Sequence, residues 1–494
     1  MSDPALIEII RAEIDARGPI PFARFMQLAL YHPAHGYYAA GRAQIGRRGD
    51  FFTNVSVGPL FGKLLAAQFA EVWEKLGRPA DFHIVEQGAH DGAFAADVLG
   101  ASRIPSLAYT IIEPFPTPRT RQQQTLAQFQ NVRWLESIDE LAAFTGVWFA
   151  NELFDALPVR IFQRSTAGAI SELRVARAER TGTTLDLDGK TEATPGRKDQ
   201  ITSDSDAMQD QQSQIASTID ATRDRQTKIA GDIEARPERQ SKSTSRSREI
   251  PGPKSKTASD VYAPRESRSG TTSAAHATLA EETRPPASAA SLRTNASSIP
   301  FALHPVLVDS VMRKRGAFPQ FPTPFAGWEE CNSAAEQVMR AACEKLERGV
   351  ALTIDYGFSR SQFFAPARAH GTLQVRRQHR LLESPFEQIG SADISSHVDW
   401  TTLAEAAETA GAHVLGFTDQ HHFLTGILSE LIGSADVELF SAAEKRALQT
   451  LLHPEMLGRN FQAFAVAKNF SLPLAGFRFG GDARTRLELT RDEG

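Results

Sequence analysis

A chain of 494 residues with 41% hydrophobic and 8% aromatic content is long enough for one large α/β domain with additions, or for two domains. No uninterrupted apolar run approaches the ~20 residues of a bilayer-crossing helix, so no membrane role is expected, and a net charge of −5 gives no general attraction to nucleic acid or to an anionic membrane. Cys331 and Cys343, both expected on one helix, are the only cysteines, too few for a zinc site, and are read as reduced thiols, buried or half-buried.

The N-terminus, MSDPALIEIIRAEIDARG, begins with acids and has neither a basic start with an apolar core nor an Arg-rich, acid-poor leader, so a cytoplasmic protein is expected. Leu6, Ile7, Ile10 and Ile14 share one helical face that Gly18-Pro19 ends, and a second helix carries Phe22, Phe25, Met26 and Leu28 to Leu30. The next stretches, YHPAHGYYAAG and GRRGDFFT, are too rich in Pro and Gly for a regular element. They are loops that either line a site or cap a sheet edge. Residues 1–58 are thus an N-terminal helical extension with a loop, and an amphipathic helix from Pro59 to Leu76 opens the main domain.

Phe82 to Glu113 reads as strand, tight turn, helix, strand, and each strand ends in a carboxylate, Glu86 or Glu113. Gly88 and Gly92 bracket the turn. In such a unit a nucleotide lies across the strand ends and the second acid accepts hydrogen bonds from ribose hydroxyls. A dinucleotide wants G-x-G-x-x-G around its pyrophosphate, which this turn lacks, and two acids would repel that group. S-adenosylmethionine has no phosphate, and its amino and sulfonium groups favour a carboxylate such as Glu86. It is the leading cofactor, with a nicotinamide or flavin and a ligand-free unit as alternatives.

Alternation continues through a helix near 120–129, a strand at Val132 to Leu135, and a buried strand, Gly146 to Ala150, that runs into Asn151-Glu152-Leu153-Phe154-Asp155. Residues 59–184 form the first part of the domain. From 185 to 298 the chain is polar, with Tyr262 its one aromatic residue, and reads as a disordered low-complexity insert. Ile215, Ile219, Ile229 and Ile233 there recur at helical spacing and either bind a partner or belong to a plain spacer. The remainder, 299–494, supplies a helix from Ala334 to Leu346, a strand ending in Asp355-Tyr356-Gly357, a loop QVRRQHR, a helix from Thr401 to Ala410, and strands at His413 to Phe417 and Phe461 to Ala467. About seven strands alternating with helices argue a Rossmann-like, doubly wound α/β sheet. No H-E-x-x-H, G-x-S-x-G or P-loop occurs, so metal, hydrolase and kinase chemistry are not expected.

The stretches FARFMQLALYHPAHGYY, GRRGDFFTN with PLFGKLL, IVEQGAHDG, IIEP, FANELFDALPVR, LTIDYG and ADISSHVDW, in that order, resemble the MidA-type family of class I S-adenosylmethionine methyltransferases, which includes a mitochondrial complex I assembly factor that methylates protein arginine. The resemblance implies a seven-stranded class I methyltransferase sheet and a protein side-chain acceptor, arginine. It puts the cofactor turn at Glu86 to Gly92 with Glu113 on the ribose, Asn151, Glu152 and Asp155 beside the transferred methyl, and Gly49, Asp50 and Thr53 in a loop closing over the cofactor. The family turn is typically E-L-G-P-G-R-G, whereas His90 here replaces the middle glycine, and Val55-Ser56 stands where the family tends to have Pro-Glu. The alternative is therefore a methyltransferase-like binding protein that assists assembly and has lost turnover. On the residues themselves, Glu152 and Asp155 either grip an acceptor guanidinium bidentately or cap the N-terminus of a following helix.

Overall fold

The computed structural model describes residues 1–43, 46, 49, 53–178, 300–307, 326–433 and 440–489. Its central sheet is built from β1 (His83–Gln87), β2 (Ala108–Ile112), β3 (Val132–Leu135), β4 (Phe144–Asn151), β5 (Leu346–Phe358), β6 (His413–Asp419) and β7 (Phe461–Lys468). Their order is β3-β2-β1-β4-β5-β7-β6. β1 to β5 run parallel, and β7 is antiparallel to both of its neighbours. The chain winds outward from β1 through β2 to β3 and then restarts at β4 on the other side of β1. That reversal opens a crevice at the carboxyl ends of these strands.

Alternation along each strand sends neighbouring side chains to opposite faces, which fixes the register. Ile84, Val147, Phe149, Val350 and Leu352 pack on one face against α3 (Leu60–Lys75) and α4 (Ala93–Ala101). Val85, Trp148, Ala150 and Ala351 pack on the other against α6 (Ser333–Lys345) and α7 (Trp400–Thr409). Helices on both faces of a largely parallel sheet make the expected doubly wound architecture.

The N-terminal extension has its own core. α1 (Pro4–Arg17) and α2 (Phe22–Tyr31) place Leu6, Ile10, Phe22, Phe25 and Met26 against Ile161, Leu173 and Val175 of a second, antiparallel sheet. In that sheet Ile170–Arg177 pairs with Ile20–Pro21, Arg160–Arg164 and Phe301–Leu307, and Arg160–Arg164 pairs with Gly327–Cys331. The Ala178 N–H donates to the Pro300 carbonyl at 3.2 Å, so the chain leaves and re-enters this sheet at adjacent points. The insert expected at 185–298 lies outside the described residues.

Several expectations need correction. Cys331 ends a strand while Cys343 is buried on α6, so the two cysteines do not share a helix. QVRRQHR is not a loop: Gln374–Arg377 and Arg380–Leu381 form a hairpin whose Gln378 and His379 both have positive φ, 49° and 60°, as a tight two-residue turn requires. The helix expected near 120–129 is α5 (Pro116–Thr125), because proline is well suited to a first helical turn and Pro116 starts it earlier. Beyond α7, two further helices that the sequence reading did not single out, α8 (Gln420–Gly433) and α9 (Ala442–Leu452), join β6 to β7. Among the described residues no helix is long and apolar enough to cross a membrane, and no group of His, Cys, Asp or Glu could hold a metal ion.

Candidate functional site

Ends of four parallel strands deliver acids to one edge of the sheet: Glu86 on β1, Glu113 just after β2, Glu152 just after β4 and Asp355 on β5. A cavity of about 1020 Å³ opens there, lined by Glu86, Gly88, His90, Glu113, Asn151, Glu152, Asp155 and Asp393 among others. The carboxyl edge of a parallel sheet is where α/β proteins keep their chemistry.

The half formed by β1 and β2 has the features of a cofactor cradle. Gly88 (φ 84°) and Gly92 (φ 83°) hold the left-handed region that glycine tolerates, and a Cβ on Gly88 would stand 3.2 Å from Leu153 Cδ1. His90, at the middle of the turn, sits at φ 48°. Its ring turns to Asp91, 3.5 Å away, while Asp91 accepts from the Ala93 N–H at 3.1 Å, at the first residue of α4. Glu86 is buried, takes a 2.7 Å hydrogen bond from the Tyr109 hydroxyl, and is pushed up to about 7 by burial, against the lowering effect of that bond. Glu113 accepts from the Phe115 N–H at 3.0 Å and from Gln122 Nε2 at 2.9 Å, and burial raises its pKa.

The half formed by β4 and β5 is a nest of acids. Glu152 has φ 52°, a conformation with a real steric cost outside glycine, and its N–H donates to the Ile354 carbonyl at 2.9 Å. Asp355 explains how that strain is held. Its Oδ2 accepts from the N–H groups of Phe154 (2.9 Å) and Asp155 (3.3 Å), so β5 ties down the turn after β4. No helix follows; the next regular element is the strand Arg160–Arg164, which removes the helix-capping reading of Glu152 and Asp155. Burial holds the Glu152 carboxyl up to about 8, with repulsion from Asp355 and Asp393 adding to it and the Asn151 amide, 2.9 Å from Oε1, opposing it. Asp155 is raised by burial and then by Asp355, Asp393 and Glu152.

Two loops from the N-terminal extension complete the cavity. Tyr31 stacks on Phe115 at 6.0 Å and donates to the Ala156 carbonyl at 3.0 Å, and the Tyr38 hydroxyl donates to Asp393 Oδ1 at 2.7 Å. Tyr31, Tyr38 and Gly41 of the YHPAHGYYAAG stretch thus line the site. Asn54 donates to Asn151 Oδ1 at 3.3 Å, linking the end of the GRRGDFFTN stretch to the acid nest. Thr53 lines the cavity and Gly49 is buried but does not line it, while Asp50 lies outside the described residues.

Tyr38, Gln122, Asp355 and Asp393 were not among the sequence-derived site residues. Asp355 carries the same signal as Glu86 and Glu113, an acid where an apolar run stops; Tyr38 and Asp393 lie within the YHPAHGYYAAG and ADISSHVDW stretches without being singled out there, and Gln122 carries no signal. Among the described residues, Gln87 Oε1, Asp155 Oδ1 and Ser396 Oγ are buried polar atoms without a hydrogen-bond partner on residues that line the cavity. Orphaned acceptors at a cradle of glycines and acids fit a ligand rich in N–H and O–H donors.

Residues 64–261 and 278–418 match the family model described as "Putative S-adenosyl-L-methionine-dependent methyltransferase". The mitochondrial protein arginine methyltransferase NDUFAF7 homolog of Drosophila melanogaster is 30% identical over 185 residues, 32% of this chain and 42% of that protein. The Danio rerio protein of that name is 26% identical over 191 residues, 33% of this chain and 45% of that protein, so the matches span less than half of these relatives' length. A Burkholderia thailandensis crystal structure with S-adenosyl-homocysteine bound superposes with a TM-score of 0.63 at 24% identity, covering 97% of this chain and 96% of that one, which shows the shared fold. The curated relatives are named as mitochondrial, which overturns the cytoplasmic placement expected from the N-terminal residues.

Proposed function

The chain belongs to this S-adenosyl-L-methionine-dependent methyltransferase family, and from that premise we propose that it transfers the cofactor's methyl group to the guanidinium of a protein arginine. When bound, the cofactor supplies an electrophilic methyl on a sulfonium whose departure leaves a neutral thioether. Gly88 and Gly92 would let backbone approach it, Glu86 would face its cationic end, and Glu113 would receive its ribose hydroxyls, with Thr53 beside it in the cavity lining. The observation that carries the acceptor reading is the nest of Glu152, Asp155 and Asp393, carboxyls crowded so closely that burial and mutual repulsion raise Glu152 and Asp155. A guanidinium seated between Glu152 and Asp155 would offset that repulsion.

A guanidinium stays protonated in water, with a pKa above about 12, and is a poor nucleophile. Glu152 and Asp155 ionise against it and hold its planar fork through bidentate hydrogen bonds, which aims one nitrogen at the methyl. Asn151 keeps Glu152 oriented. As the new N–C bond forms, that nitrogen sheds its proton, and Glu152, held up to about 8 in the free protein, is suited to receive it. Alignment of this kind supplies on the order of 7 to 11 kcal/mol of the barrier. The alternative, a scaffold without turnover, has less support, since the cofactor cradle and the acid nest line one cavity.

Incubation of the purified protein with cofactor carrying a labelled methyl group and a mitochondrial lysate tests the reading. Label on arginine of a protein band is the expected result. Cofactor binding by calorimetry with label on another residue type, or on none, would overturn the arginine acceptor while leaving the cofactor site standing.

A further inference from the structure

Gln122 lies on α5, in the run Gln122-Gln123-Gln124, and nothing in that run distinguishes it. In the structure it is fully buried, the only buried residue of that helix. Its amide has three bonds to three different elements. The carbonyl Oε1 accepts from the Trp134 indole N–H at 3.0 Å, and Nε2 donates to Glu113 Oε2 at 2.9 Å and to the His90 carbonyl at 3.1 Å. The indole nitrogen can only donate, so the amide oxygen must face Trp134 and both amide hydrogens must face the cofactor cradle. The Gln122 backbone closes the same contact, since a Cβ on Gly92 would stand 3.3 Å from Gln122 Cα.

The consequence falls on Glu113. An ionised carboxylate offers about four acceptor positions. The Phe115 N–H takes one on Oε1 and Gln122 takes one on Oε2. One position stays open on each oxygen, the pattern that a vicinal pair of hydroxyls fits. Gln122 also spans the gap between the Glu113 side chain and the carbonyl at the middle of the glycine turn. A single amide thereby sets the spacing between the acid and the turn, and Trp134 sets the amide.

We infer that Gln122 is a positioning residue for the cofactor, holding Glu113 and the 88–92 turn in register so that the carboxylate meets both ribose hydroxyls. The inference rests on the proposed cofactor reading. It predicts more than a loss of stability, because an unheld carboxylate loses its discrimination for hydroxyls in particular.

Calorimetric titration with S-adenosylhomocysteine and with its 2′-deoxy counterpart tests it on the full chain. In the wild type, loss of one hydroxyl bonded to a carboxylate should weaken binding by about tenfold or more. In Gln122→Met, of similar length and without donors, S-adenosylhomocysteine should bind about tenfold more weakly and the 2′-deoxy penalty should shrink to about threefold or less. Trp134→Phe, which removes the donor that orients the amide and leaves Gln122 in place, should move both quantities in the same direction by a smaller amount, and it serves if Gln122→Met does not fold. A lower melting temperature with an unchanged ratio between the two ligands would overturn the inference and make Gln122 a structural residue only. A wild type that binds S-adenosylhomocysteine without regard to the 2′-hydroxyl would overturn it together with the Glu113 assignment. A wild type that binds neither ligand would overturn the cofactor reading as a whole.

Discussion

Replacing Glu152 with Gln keeps the side chain's shape and removes its charge, and it separates an acceptor grip from every other role. Burial holds the Glu152 carboxyl up to about 8 in the free protein. At pH 7 about one molecule in ten then carries the carboxylate, a deficit of about 1.4 kcal/mol for binding a cation. Acceptor binding must therefore release a proton, and the acceptor KM is expected to fall by up to about tenfold per pH unit between about 6 and 8, and then to level off. Glu152→Gln has no proton to release there, so this slope should flatten to what Asp155 contributes. Methyl transfer should drop by about 10² or more, while cofactor affinity stays within about threefold. Stability adds an independent sign. An unfolded glutamate ionises near 4.5 and the folded one near 8, so the folded state binds more protons in between and the wild type loses stability as pH rises through that window. Relative to wild type, Glu152→Gln should be more stable at pH 8 than at pH 5 by thermal unfolding. An undiminished pH slope of the acceptor KM, or equal losses of cofactor affinity and rate, would refute the reasoning.

The remaining expectations are independent of the acceptor. Glu113→Ala should weaken cofactor binding by about 1.5 to 3 kcal/mol in calorimetry, the usual cost of lost hydrogen bonds to a charged group, and unchanged affinity would take Glu113 out of the site. Replacing residues 190–295 with a short Gly/Ser linker should leave the melting temperature within a few degrees, because the Ala178 N–H already bonds the Pro300 carbonyl and loop-closure entropy varies only logarithmically with length. A large loss of cooperativity would mean that the segment packs on the core. His90→Gly relieves a left-handed backbone but frees the unfolded chain, so denaturant unfolding should shift by no more than about 1 kcal/mol. Since the ring turns to Asp91, cofactor affinity should stay within about threefold, and a larger change would place the imidazole on the ligand.

The sheet was legible in the sequence because each central strand is an apolar run buried on both faces, and a run that stops at Glu86, Glu113, Asn151 or Asp355 announces its carboxyl end. What those acids do there was less legible, since spacing alone made Glu152 and Asp155 look equally like a helix cap. The deciding residue, Asp355, lies on β5 and holds the turn from across the sheet, so no local pattern could exclude the helix. Distance in sequence hides the rest of the site in the same way. Tyr38 reaches Asp393 from 355 positions away, and Gln122 is one glutamine in a row of three until the fold turns it inward. The hairpin at 374–381 was missed because Arg, Gln and His carry little strand signal, and its tight turn is made without Asn or Gly. The division has a physical cause. A parallel sheet gathers all its carboxyl ends on one edge, so groups that end strands can be found one strand at a time. The groups that orient them arrive from helices, side sheets and the N-terminal extension, and their partners exist only once those layers have packed.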